Sequence, residues 1–330
     1  MDGVIVMSNK KFKNKKNSLI DLTRKYANDY MACVQFFIDA KWPTGFYCEK
    51  CHCTHYYYIK RGNVLECAHC GHQHYLFAGT VFQDNKLELY KLILGIYLFF
   101  TANKGYSAVE MASALDVNYK TALRLCKKCR ILMAQSNSHK ILDSLFYESD
   151  VTYIGSKSKD KAGMATDQQP FLVILSTARE NQYPQYIKLC PVPVDNQNYN
   201  ENFISKRAIL SKERKLNTDG KTTYASLKDK ITLQSEKIIY DQENHRLKWL
   251  NIIVGNIKNN ITGIYHGICK RSMPLFLGEQ EWRFNHRYTG NQIMNKVKKY
   301  ILNSFPVTDQ LITHILDISE PAFTKPVSEG

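Results

Sequence analysis

Leu145-Phe146-Tyr147-Glu148-Ser149-Asp150-Val151-Thr152-Tyr153-Ile154-Gly155 is an apolar, β-rich run with an aspartate in its middle. Runs of this composition, bounded by a glycine, form strands. Similar runs follow at 171–176, 185–190 and 237–240, with helical stretches near 200–213, 222–230 and 246–260. The order is three strands, a helix, a strand ending near Asp219, a helix, another strand, then helices. This is an α/β region, expected to span 141–303, with a Pro-bearing tail over 304–330.

Upstream the character differs, so the whole chain reads as α+β and multidomain. Residues 86–140 are helical. The apolar run 87–100 contains Glu88, Tyr90 and Lys91 and is too short to span a bilayer, so it reads as a buried helix. Ser107 stands three residues before Glu110, the spacing of a capping box. Ala108, Met111, Ala112 and Leu115 share one face of the helix so begun. Asp116-Val117-Asn118 makes a short turn, and Tyr119, Lys120, Thr121 and Arg124 open a second helix. In a helix-turn-helix those opening side chains face the major groove of DNA; the plain alternative is a helical hairpin packed on its neighbours.

Residues 41–85 are rich in Cys, His, Gly and Tyr. Cys48-x-x-Cys51 and Cys67-x-x-Cys70 are two knuckles fifteen residues apart, a spacing that brings four thiolates onto one structural Zn²⁺. Tyr56, Tyr57 and Tyr58 supply a strand between them. Cys53, His52, His55, His69, His72 and His74 crowd the same module as bystanders. Cys126-x-x-Cys129 falls inside a helical stretch without a partner pair and reads as two helix-face thiols. Residues 1–40 combine a Lys tract (Lys10, Lys11, Lys13, Lys15, Lys16), either a phosphate-binding arm or a solvated tail, with one helix from about Ser18 to Ala40.

Forty-five Lys+Arg against thirty Asp+Glu give a net charge of +15, which favours a polyanionic partner, nucleic acid above all. The charge is spread along the whole chain, which argues against a membrane surface. Met1 to Asn9 carry no secretory signal, so a cytoplasmic, nucleoid-associated protein is expected. In such a compartment the ten cysteines are ligands or buried thiols rather than disulfides.

Taken alone, Asp150 and Asp219 are weak signals, since Asp219-Gly220 is first of all a turn. Their setting is more specific. Ser149-Asp150-Val151-Thr152-Tyr153-Ile154-Gly155-Ser156 resembles the V-D-E-T-Y-I-G-G motif of bacterial insertion-sequence transposases of the zinc-ribbon, ISXO-like type. Thr218-Asp219-Gly220 with Tyr224 is similar to their T-D-G-x-x-x-Y. Gly255-Asn256-Ile257-Lys258 and Gly263-Ile264-Tyr265-His266-Gly267 are similar to the S-N-x-K and G-T-Y-H-G of a branch using asparagine and lysine. Their closing D-E-F-x-x-R-F-N-R-R is echoed from Gly278 to Arg287. Val151, Ser156 and Gly278 depart from the family's acidic residue, glycine and aspartate.

The resemblance, over about residues 30–300, implies a ribonuclease-H-like domain with a mixed central sheet and DDE-type DNA cleavage and strand transfer. It implies Asp150, Asp219 and Asn256 as ligands of catalytic Mg²⁺ or Mn²⁺, with Lys258 offsetting phosphate charge. Double-stranded DNA, as element ends and target, and a homo-oligomer are the implied partners. Glu279 is either an extra ligand or, by preference, a salt-bridge partner of a nearby arginine. Arg283, His286 and Arg287 either hold phosphates or line a solvated face. Rival readings are a non-catalytic DNA-binding regulator and a zinc-ribbon RNA-processing nuclease.

Overall fold

The computed structural model describes residues 18–155, 168–180, 182–235 and 247–307. The Lys tract, Ser156 and the run 237–240 lie outside the described residues.

The helix expected from Ser18 to Ala40 is two helices, α1 (Leu19–Tyr26) and α2 (Tyr30–Lys41). Asp29 ends the first possibility of a continuous helix. It takes extended backbone and accepts the Ala32 amide at 2.8 Å, a cap that competes with helix continuation. Three short antiparallel strands follow, β1 (Tyr56–Ile59), β2 (Val64–Cys67) and β3 (Gln73–Tyr75). Then come α3 (Leu89–Thr101), α4 (Ala108–Leu115) and α5 (Tyr119–Asn137). The capping box at Ser107 and Glu110 is formed, Asp116 turns the chain in the left-handed region, and Asn118 caps α5.

The second half is built on a five-stranded sheet. Its strands are β4 (Phe146–Ile154), β5 (Gln169–Arg179), β6 (Gln182–Pro191), β7 (Lys215–Thr218) and β8 (Thr232–Ser235), in the order β6-β5-β4-β7-β8. β6, β5 and β4 pair antiparallel, while β4, β7 and β8 pair parallel, so the sheet is mixed. Helix α6 (Gln197–Arg207) crosses from β6 to β7, and a 3₁₀ helix, Thr222–Asp229, links β7 to β8. Among the described residues, three α-helices follow: α7 (Lys248–Tyr265), α8 (Met273–Asn285) and α9 (Ile293–Leu302).

Period-two alternation divides the sheet's side chains between two cores. Tyr147, Val151, Leu172 and Ile174 meet Phe203, Ile204, Tyr224 and Leu227 under α6 and the 3₁₀ helix. Ile154, Phe171, Val173 and Leu175 meet Leu250, Ile253, Ile257 and Leu277 under α7 and α8. A third core gathers α1 to α5 and the small sheet, and it also takes Trp282 of α8, Val297 and Ile301 of α9, and Phe305. Thus α9, expected with the α/β region, packs with the N-terminal helices. Ser304 and Phe305, expected to begin the Pro-bearing tail, are buried. Ser304 Oγ accepts the Val81 amide, and Gln135 bonds both the amide and the carbonyl of Phe305. The apolar face of α9 lies against the first half, while its Tyr300 also meets Trp282 of α8.

Gly278 lets α8 approach α5. A Cβ there would stand 2.8 Å from the Ala134 Cβ. No described helix is long and apolar enough to cross a membrane.

Candidate functional site

The two cysteine knuckles repeat one backbone pattern. The amide of His52 bonds the Cys48 carbonyl and that of Gly71 the Cys67 carbonyl, at 2.8 and 3.0 Å. The amides of Cys48 and Cys67 bond the carbonyls of Cys53 and His72, both at 2.9 Å. The tight turns need positive φ just after each pair, at His52 (59°) and Gly71 (66°). All four sulfurs lie within 4.8 Å of one another, with Cys48–Cys70 at 3.6 Å and Cys51–Cys67 at 3.4 Å. Four thiolates about 2.3 Å from one Zn²⁺ in a tetrahedron stand nearly 4 Å apart, roughly the spacing seen. The donor set therefore fits a closed structural zinc. Backbone amides of Cys70 and His69 hold the Cys67 thiol down at about 6. His52, His55, His69 and His72 are exposed, whereas His74 is buried with its Nε2 3.4 Å from Cys48 Sγ. The two thiols Cys126 and Cys129 are buried on α5.

The acidic site lies at one end of the large sheet. Glu148 of β4 pairs with Asn217 of β7 in parallel register, so Asp150 and Asp219 continue that register two residues on, side by side. Lys221, two residues beyond Asp219, places its Nζ 3.2 Å from Asp150 Oδ1 and 3.0 Å from Asp219 Oδ2. A third carboxylate, Asp195, reaches the same ammonium from the β6–α6 turn at 3.4 Å. β4, β6 and β7 all run the same way, so Asp195 and Asp219, which follow the ends of β6 and β7, meet Asp150 in the middle of the longer β4. Burial pushes the Asp150 carboxyl up to about 6. The Lys221 charge opposes this and the Asp219 charge adds to it.

Helix α7 covers the face of β4 on which Asp150 lies. The buried Glu148 carboxylate accepts the Leu250 amide at 3.0 Å and pins the first turn of α7 there. Lys258, half-buried, feels the Asp150 charge, which opposes the lowering of its pKa by burial. Asn256 does not join it. At 3.6 residues per turn, positions two apart are turned by about 200°, and Asn256 is exposed on the far flank of α7. Motif matching missed Glu148 and Asp195, and nothing local marks either.

Comparison with known protein families adds the deciding observation. Residues 145–285, from β4 through α8, match the ISXO2-like transposase domain, and residues 29–73 match the transposase zinc-ribbon domain. The chain belongs to the zinc-ribbon, ISXO2-like family of transposases. No curated protein matches it.

In this transposase the opening turns of α5 are accessible: Tyr119, Lys120 and Arg124 are exposed and Thr121 is half-buried. The arginine and histidine of the closing motif sit otherwise than expected. Arg283 is buried, paired with Glu279 at 2.7 Å, and donates to the carbonyls of Phe99 and Ala102. His286 stacks on Trp282 and bonds Tyr300 Oη at 3.0 Å, and burial lowers its pKa to about 4. Neither presents a charge to solvent, because both close the seam between α8 and the N-terminal core. Arg287 is exposed but donates to the carbonyls of Pro184, Gln185 and Phe284. Glu279 is a salt-bridge residue, wholly buried between Arg130 and Arg283 and accepting from Tyr265 Oη.

Proposed function

We infer that this transposase binds insertion-sequence ends and catalyses metal-dependent cleavage and strand transfer of DNA. The observation that carries this reading is the convergence of Asp150 and Asp219, from adjacent parallel strands, on a single cationic nitrogen at 3.2 and 3.0 Å. Two carboxylates so placed can hold Mg²⁺ or Mn²⁺ between them. The sheet, three antiparallel strands continued by two parallel ones, supports a ribonuclease-H-like domain.

A divalent ion there supplies the charge that activates an attacking oxygen and stabilises a leaving one. The protein's own part is positioning and electrostatics. Asp150 and Asp219 orient the ion from the sheet. Lys258 stands over Asp150 as a cation for a phosphate oxygen. Glu148 keeps the Lys258 flank of α7 aimed at the sheet. α4 and α5 act as a helix-turn-helix, with Tyr119, Lys120, Thr121 and Arg124 toward the groove. Holding two element ends for joining calls for a homo-oligomer.

The test is cleavage and strand transfer on labelled DNA carrying the flanking ends of the element, with Mg²⁺ or Mn²⁺. Nicking and joining vanish in Asp150→Asn and Asp219→Asn, while binding to the ends persists. Wild-type protein that binds the ends tightly and never cuts would instead be a DNA-binding regulator.

A further inference from the structure

Lys221 does more than neutralise two aspartates. Its ammonium is the meeting point of three carboxylates, Asp150, Asp195 and Asp219, at 3.2, 3.4 and 3.0 Å. Three carboxylates facing one ammonium leave the cluster net negative, and a divalent ion in its place offsets more of that charge. Asp195 is the most buried of the three, with a side chain 6% exposed. Its other oxygen accepts from the buried Asn200 amide at 3.0 Å, and the neighbouring Asn196 caps α6. It is thus held toward the centre by α6 rather than drifting there on the surface.

The spacing is that of an ammonium and not of a metal shell. Among the described residues, the four cysteines are the group whose ligand atoms already stand within 4.8 Å of one another. The aspartates are spread wider. Mg²⁺ binds oxygen at about 2.0–2.1 Å, so the carboxylates must close in around it, and the ammonium cannot stay between them. Lys221 can leave: its side chain is 37% exposed and ends a flexible four-carbon stem.

We propose that Lys221 is the resting occupant of the cation position and that Asp195 is a third carboxylate of the centre. Divalent metal expels the Lys221 ammonium, which then stands at the rim as a cation for the DNA phosphate. This rests on the metal-dependent reading above.

Mn²⁺ binding to the full-length, zinc-loaded protein, counted by the electron-spin signal of free Mn²⁺, separates the two. Thiolate ligands retain zinc against Mn²⁺, so the cysteine centre does not interfere. Lys221→Met is expected to bind Mn²⁺ at least about tenfold more tightly than wild type, since a competing charge is gone. Asp195→Asn is expected to bind about tenfold more weakly. In unaltered protein, formaldehyde labelling of Lys221, read by mass spectrometry, rises when Mg²⁺ is added. This second measurement decides the matter if Lys221→Met fails to fold. Equal or weaker Mn²⁺ binding by a folded Lys221→Met, or Lys221 labelling that Mg²⁺ leaves unchanged, overturns the displacement. Unchanged binding by Asp195→Asn removes Asp195 from the centre. Wild-type protein that takes up no Mn²⁺ at all sinks the metal-dependent reading itself.

Discussion

Glu279 shows how much one side chain of the closing motif holds in place. Its burial disfavours ionisation, but Arg283 and Arg130 outweigh that and hold its pKa below the usual carboxylate range. Glu279→Gln keeps the shape and removes the charge, leaving two buried guanidinium groups facing each other. A loss of about 3–5 kcal/mol is expected, read from urea unfolding. His286 gives a pH signature. Its folded pKa, about 4, lies below the 6.5 of a free imidazole. The unfolded chain therefore binds the proton more readily. The resulting stability is present above pH 6.5 and is lost as pH falls toward 4, by at most about 3 kcal/mol. Melting curves from pH 7 to pH 4 should show this slope in wild type, and a flatter one in His286→Gln. Both residues were visible in the sequence as parts of a motif. Their burial was not, because a basic cluster on one helix reads as a surface until its partners on α3, α5 and α9 are known. The same limit explains Asn256. Letters two apart in a motif look adjacent, and on a helix they face opposite ways.

At the scale of elements, local chemistry was the readable part. The cysteine spacing, the Ser107–Glu110 capping box and the aspartate-bearing strand all work within a few residues, and each is formed. The break between α1 and α2 was written at Asp29 too, inside a stretch read as one helix. β8, at Thr232–Ser235, runs in parallel register with β7. Gly278 is the element-scale departure with a mechanical reason. Gly278→Asp pushes a carboxylate against Ala134 and separates α5 from α8. It should lower stability by about 1–3 kcal/mol through overpacking alone, with a lower melting temperature. A melting temperature equal to wild type would mean that the contact between the two helices has slack.

Over the whole molecule, the net charge of +15 is a statement about polyanions and not about which face they use. On the proposed function, exposed Lys120 and Arg124 on α5 tie it to a face. Alanine at either should weaken DNA binding similarly for all sequences if the contact is to phosphate, and lower the salt slope by about 1 each. Loss confined to the element ends would instead mark a base contact. Domain boundaries were the least readable feature. The chain passes from cysteine module to helices to sheet, yet α8 and α9 return to the first core. Such returns are long-range packing, on which neither composition nor periodicity bears.

The buried knot around Glu279 has a consequence for where a cut falls. Arg130 belongs to α5, Arg283 to α8 and Tyr265 to the far end of α7, the helix that bears Lys258. On the proposed function, reader and cutter are bolted to the same rivet. The body of the protein then works as a gauge block: the number of base pairs between the recognised sequence and the broken bond is set by its thickness and not by a hinge.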